Sequence, residues 1–167
     1  MNYTNIPVYR ETAAYAFAHG ETDAYRASYK ANMACKTAIA DAISSNYADN
    51  RLCSEKALES LKNGFGMDRI AFVLAVTVRS KDCDARFSDA NKAWAKAVSV
   101  SADEDDWGQD RNRAFIIDSV HPGLVDLLVT RVRKEYAEPI RKESVLAKIQ
   151  KPIQSAAPGG KTREEVL

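Results

Sequence analysis

Apolar positions repeat at helical spacing along most of this chain, and in one stretch the polar face disappears. From Ile70 to Val78 the run IAFVLAVTV is apolar on every side apart from Thr77. A helix without a polar face must be enclosed by other elements, so this segment, predicted to run from Met67 to Ser80 over roughly 20 Å, is the expected central post. Its Val and Ile content also suits a buried strand, but its length and the lack of an obvious partner strand favour helix. Charge then takes over. Arg79, Lys81, Asp82, Asp84 and Arg86 lead to Phe87, and Ser88 is placed to cap a helix to Val98 that carries Asn91 and Trp94.

The flanking pattern predicts further helices. Tyr9 to His19 reads as a short helix ended by Gly20, the residue best suited to a left-handed C-cap. From Thr22 to Tyr47 there is no Gly or Pro, and Tyr25, Tyr29, Met33, Ile39, Ile43 and Tyr47 recur at helical spacing among alanines that allow close helix approach. Asp49 and Asn50 break this helix. Ser54 is positioned to cap a third, with Leu58 and Leu61 inward and Gly64 as its stop; Phe65, between Gly64 and Gly66, is expected to pin a tight reversal to the core. Asp110 is the expected cap of a helix holding Ala114, Phe115, Ile116 and Ile117. Pro122 should open the next, burying Leu124, Leu127, Leu128 and Val132. Pro139 interrupts it before an amphipathic piece from Ile140 to Ile149, and from Pro152 onward the composition is that of a flexible tail. The expected architecture is all-α: a compact helical domain over residues 8–137 around the buried central helix, and a C-terminal extension over 138–167.

Composition narrows the class. With 167 residues, 46% hydrophobic and 28% charged, the chain is long enough for one domain with a proper core. No run reaches the roughly 18 apolar residues of a membrane span, and the start MNYTNIPVYRE lacks a secretory layout, so the expected location is the cytoplasm. Cys35, Cys53 and Cys83 lie far apart with no histidine beside them, which points to free thiols and against a zinc site. No cofactor or metal is expected. The net charge of +1 gives no global pull toward nucleic acid.

Several residues are candidates for a contact site. Tyr25, Tyr29, Asn32 and Lys36 lie along the long second helix, and Lys36 falls almost directly below Tyr29 on a stripe continuing to Ile39. A lysine there must find a carboxylate or reach solvent along its own stem. Asp82, Asp84 and Arg86 resemble the acids and clamp of a hydrolytic site, though a helix-to-helix corner also carries such residues. His19 and His121 sit where histidines help terminate helices. Asp103, Glu104, Asp105 and Asp106, ending in Trp107, form an acidic run able to imitate phosphate charge, and a solvated connection looks the same in sequence. Arg131, Arg133, Lys134, Arg141 and Lys142 are placed to meet phosphates, with interleaved glutamates offering ordinary helix-face pairing instead.

Three segments carry a family resemblance: TDAYRASYKANMACKTAI at 22–39, DRIAFVLAVTVRSKDCDARFSDANKAWA at 68–95 and HPGLVDLLVTRVRKEY at 121–136. They resemble an uncharacterised bacterial domain family carried on conjugative elements and phages, sometimes as one module of larger polyvalent proteins. That resemblance brings no catalytic residue. It implies a non-enzymatic accessory protein with a protein partner, expected to be a stoichiometric inhibitor of a host defence system such as an anti-CRISPR acting on a nuclease or its nucleic-acid complex. A partner face is then expected among Tyr25, Tyr29, Asn32, Lys36, Asp84, Arg86, Asn91, Trp94 and the 103–107 run. The alternatives are a small enzyme acting on a nucleotide or nucleic acid, with Asp84, Arg86 and His121 around one pocket, and a DNA-binding factor using the basic C-terminal helix.

Overall fold

Enclosure of the apolar run sets the architecture: in a computed structural model that describes residues 2–98 and 115–136, every residue from Arg69 to Val78 is buried within one helix. The chain divides into two compact units, Met1–Arg133 and Lys134–Leu167; of the second, only residues 134–136 are described, and they are helical. The first unit contains α1 (Ala13–Ala18), α2 (Thr22–Ser45), a two-stranded hairpin of β1 (Tyr47–Ala48) and β2 (Arg51–Leu52), α3 (Ser54–Ser80), α4 (Asp89–Ala97) and α5 from residue 122. α3 packs chiefly along α2 and secondly against α4, while α1 rests on α2. The mostly helical build and the buried central post agree with the sequence pattern.

α2 turns Ala31, Cys35, Ile39, Ala42 and Ile43 toward α3, and its alanines let the two backbones come close. On α3, Ile70, Val73, Leu74 and Val76 are fully buried around the helix, each side chain contributing about 1.5–3 kcal/mol by leaving water. Thr77, the polar exception, is accommodated by its hydroxyl. It donates to Val73 O at 3.0 Å and accepts from Ile117 N at 3.1 Å, so it closes a bond inside the helix and fastens the 115–117 segment to it.

Local details differ from the pattern in ways the backbone explains. The first helix is shorter than Tyr9–His19, because Thr12 accepts from Tyr15 N as the N-cap and leaves residues 7–10 without regular structure. Asp49 and Asn50 do more than break α2. With φ of 54° and 60° they form the two-residue turn of the hairpin, a conformation Asp and Asn tolerate better than most residues. α3 begins at Ser54, so Cys53 and not Ser54 occupies the cap position. It also continues through Gly64 and breaks only at Gly66. Phe65 pins the N-terminal segment and not the core: its ring stacks on Tyr3 at 5.3 Å, and Tyr3 N donates to Gly64 O at 2.7 Å.

Gly66 has φ 77° and ψ 157°, a region essentially reserved for glycine, and a Cβ there would meet nothing within 4 Å. Gly66→Ala is therefore expected to lose about 1–3 kcal/mol through backbone strain alone, without any clash. Urea denaturation measures it, and an unchanged midpoint would contradict the assigned break.

Two further expectations are corrected. Phe115, Ile116 and Ile117 are buried but do not form an α-helix: Phe115 is in a 3-10 turn, Ile116 and Ile117 have no regular structure, and Ile117 N is bonded to Thr77 of α3 instead of to its own segment. α5 starts at Pro122 as the pattern indicates, but its inner face is Val125, Leu128, Val129 and Val132, and Leu127 is 49% exposed. Asp110, Ala114, the acidic run Asp103, Glu104, Asp105, Asp106 and Trp107, the basic residues Arg141 and Lys142, the 140–149 piece and the tail lie outside the described residues.

Candidate functional site

At Ser28 and Asn32, one helical turn apart on α2, the core becomes polar. Both are buried, and both face Arg69 of α3, which is only 1% exposed. The Arg69 guanidinium donates through Nη1 to Ser28 O at 3.0 Å, to Ser28 Oγ at 3.3 Å and to Asn32 Oδ1, and through Nη2 to Ile6 O at 2.7 Å. Its Nε is buried without an acceptor, and no carboxylate among the described residues bonds to it. Burial therefore holds the guanidinium below its ordinary pKa; the Cys35 thiol acts in the opposite direction, and the neighbouring Arg10 adds to the lowering. Burial likewise pushes the Cys35 thiol up to about 12, against the pull of Arg69. A cation that would otherwise require an acid is thus held by neutral oxygens.

Directly outside this polar knot lies a small concavity of about 270 Å³, solvent mouth included, lined by Tyr9, Glu11, Tyr25, Ser28, Tyr29, Asn32, Phe72 and Phe115. Its walls are a connected series of rings. Tyr9 meets Tyr25 edge-on at 5.8 Å, Tyr25 stacks with Tyr29 at 6.3 Å, Tyr29 meets Phe115 edge-on at 5.9 Å, and Phe115 lies over Phe72 at 6.0 Å. Arg10 sits over the Phe72 ring at 5.5 Å. Tyr9 is fixed from both ends: its N donates to Ser28 Oγ at 2.9 Å and its hydroxyl to Glu21 Oε1 at 2.8 Å. Partial burial and then that carboxylate push the phenol up to about 12, so it remains a neutral donor.

Of the residues singled out in the sequence, Tyr25, Tyr29 and Asn32 meet in this concavity. Lys36 is half-buried further along α2 and does not line it. The 82–94 corner does not join it either. There, Asp84 accepts from Arg86 Nε at 3.0 Å and Nη2 at 2.8 Å, and this forked bond holds its carboxyl down to about 2. Asn91 is wholly buried and tied inward, its Nδ2 donating to Asp126 Oδ1 at 2.7 Å, Asp126 O at 3.1 Å and Thr130 Oγ1 at 3.0 Å. It clamps α4 to α5 and presents nothing to a partner. Trp94 is half-buried beside it in the chain.

Both histidines serve helix ends. His19 Nδ1 lies 2.8 Å from Tyr15 O at the end of α1, and His121 Nδ1 accepts from Gly123 N at 2.9 Å at the start of α5. Arg131 and Arg133 are half-buried on α5, with Arg131 Nε 3.4 Å from Ser54 Oγ. Lys134 is exposed. No group of three His, Cys, Asp or Glu able to hold a metal occurs among the described residues, and no helix there is long and apolar enough to cross a membrane.

Residues 8–137 match the family model described as protein of unknown function (DUF3849). The chain belongs to that family. No curated protein and no solved structure matches it. The matched span covers every residue of the DUF3849 concavity, from Tyr9 to Phe115. Arg69, Ser28, Tyr9, Phe72 and Phe115 were not legible as site residues. The only local signal was Ser28 and Asn32 repeating four apart beside Tyr25 and Tyr29, which puts all four on neighbouring stripes of one helix.

Proposed function

We propose that this DUF3849 chain is a non-enzymatic binding protein that acts by stoichiometric contact with a protein partner through the aromatic concavity. The observation that carries this reading is the convergence of five rings from four separate segments on one hollow that the polar residues Ser28 and Asn32 also line. Tyrosine-rich hollows of this kind supply large contact area at low entropic cost and are typical binding centres. The resemblance to modules of conjugative elements and phages supplies the context: an accessory protein of a mobile genetic element in the host cytoplasm, with a host-defence nuclease or its nucleic-acid complex as the partner it inhibits.

An enzyme built on Asp84, Arg86 and His121 has less support. Asp84 is occupied by Arg86 and too acidic to donate a proton near neutrality, and His121 Nδ1 is used as a cap. The test is to mix the full chain with a candidate nuclease and its guide, then follow co-elution and cleavage. Tyr29→Ala should weaken the complex about tenfold or more, as truncation of a central aromatic anchor does. Undiminished affinity in that variant, or turnover of nucleic acid by the chain alone, would remove the proposal.

A further inference from the structure

The concavity has a charge behind it that its lining does not neutralise. Arg69 is desolvated, bonded only to neutral oxygens, and repelled by Arg10. A fully buried arginine normally has an acid beside it, because neutral oxygens offset its desolvation only partly. The two groups that separate Arg69 from the hollow are both polarised by it. Asn32 turns Oδ1 toward Nη1, which leaves its Nδ2 with no partner among the described residues. Ser28 Oγ accepts from both Tyr9 N and Arg69 Nη1, so its lone pairs are committed and its proton remains to be donated. With Tyr29 also on the lining, three side chains able to donate border the hollow, backed by a positive charge. The one carboxylate on the lining is Glu11, which is exposed and therefore screened by solvent.

We propose that this hollow is a carboxylate receptor: it takes one acidic side chain of the partner, with Asn32 Nδ2, Ser28 Oγ and the Tyr29 hydroxyl donating to the oxygens and Arg69 supplying the opposite charge. This inference rests on the binding reading above and names what the partner must present. The space at the floor that a water-sized group can occupy is only about 10 Å³, so the tip of a side chain can reach it and a nucleotide cannot.

The test uses the full chain and three probes of one shape but different charge: benzoate, benzyl alcohol and benzylammonium, titrated at millimolar concentration while the Asn32 side-chain amide and the Tyr29 ring are followed by NMR. Benzoate is expected to bind and to shift both signals, with benzylammonium at least tenfold weaker. Asn32→Asp separates this explanation from simple stickiness, because it places a resident carboxylate beside Arg69. That variant should raise Tm by a few degrees, since a buried charge gains its missing partner, and should lower benzoate affinity tenfold or more. Tyr29→Phe keeps the ring and removes one donor, and should weaken benzoate about threefold to tenfold with Tm unchanged. The idea fails if benzoate leaves the signals unmoved, if benzylammonium binds as well, or if Asn32→Asp binds benzoate undiminished. These titrations involve no partner, so a wrong nuclease in the preceding test leaves their outcome intact.

Discussion

Replacing Arg69 by alanine is expected to lower the unfolding free energy by about 3 kcal/mol, the loss typical of emptying a large buried site and leaving polar partners behind. Three terms decide the sign. Arg69 is the bulkiest of the fully buried side chains, so truncation opens a cavity between α2 and α3. Ile6 O and Asn32 Oδ1 lose their donors, whereas Ser28 O, a carbonyl inside α2, keeps its helical bond. Against these, removing an uncompensated cation recovers its desolvation penalty. The first two outweigh the third, because the donors reach three separate places and tie the N-terminal segment to α2 and α3 together. Arg69→Met keeps most of the length and drops the charge, and should cost less than alanine. Arg69→Lys should not rescue fully, as one ammonium cannot span the oxygens a guanidinium fork reaches. Chemical denaturation of the three variants measures the order; an alanine variant within about 1 kcal/mol of wild type would show that Arg69 is no strut.

The second large effect is at the centre of the post. Leu74→Ala should cost about 2–5 kcal/mol, since Leu74 is 0% exposed and surrounded by a helix pair too closely packed to collapse fully onto the gap. Leu127→Ala is its control. At 49% exposure Leu127 should change stability by no more than about 0.5 kcal/mol, although the sequence pattern places it among the core leucines of its helix. Equal losses at the two positions would contradict the register of α5.

That register shows where pattern reading stops. On α5 the apolar residues Leu124, Val125, Leu127, Leu128, Val129 and Val132 cover more than half the helix circumference, so periodicity permits several buried stripes. Which one faces inward is fixed by the neighbouring helix, through the clamp of Asn91 on Asp126 and Thr130. α2 behaves the same way. Its tyrosine stripe was readable, but the inner face is the adjacent one through Ser28, Ala31, Asn32, Cys35 and Ile39. The polar residue demanding explanation was therefore not Lys36 but Arg69, which looks in sequence like the charged flank of an apolar run.

By itself the sequence determined the long α2, the serine and proline starts of α4 and α5, and the identity of the enclosed post, because these depend on propensity, capping and the absence of a polar face within short windows of chain. Only the tertiary structure decided that Tyr9, Ser28, Asn32, Arg69 and Phe115 share one place, and that Ile117 is fastened to Thr77. The physical reason is range. A capping bond or a helical stripe joins residues three or four apart, whereas the bonds that assemble the concavity join residues 19 to 63 apart, and no local preference selects such partners.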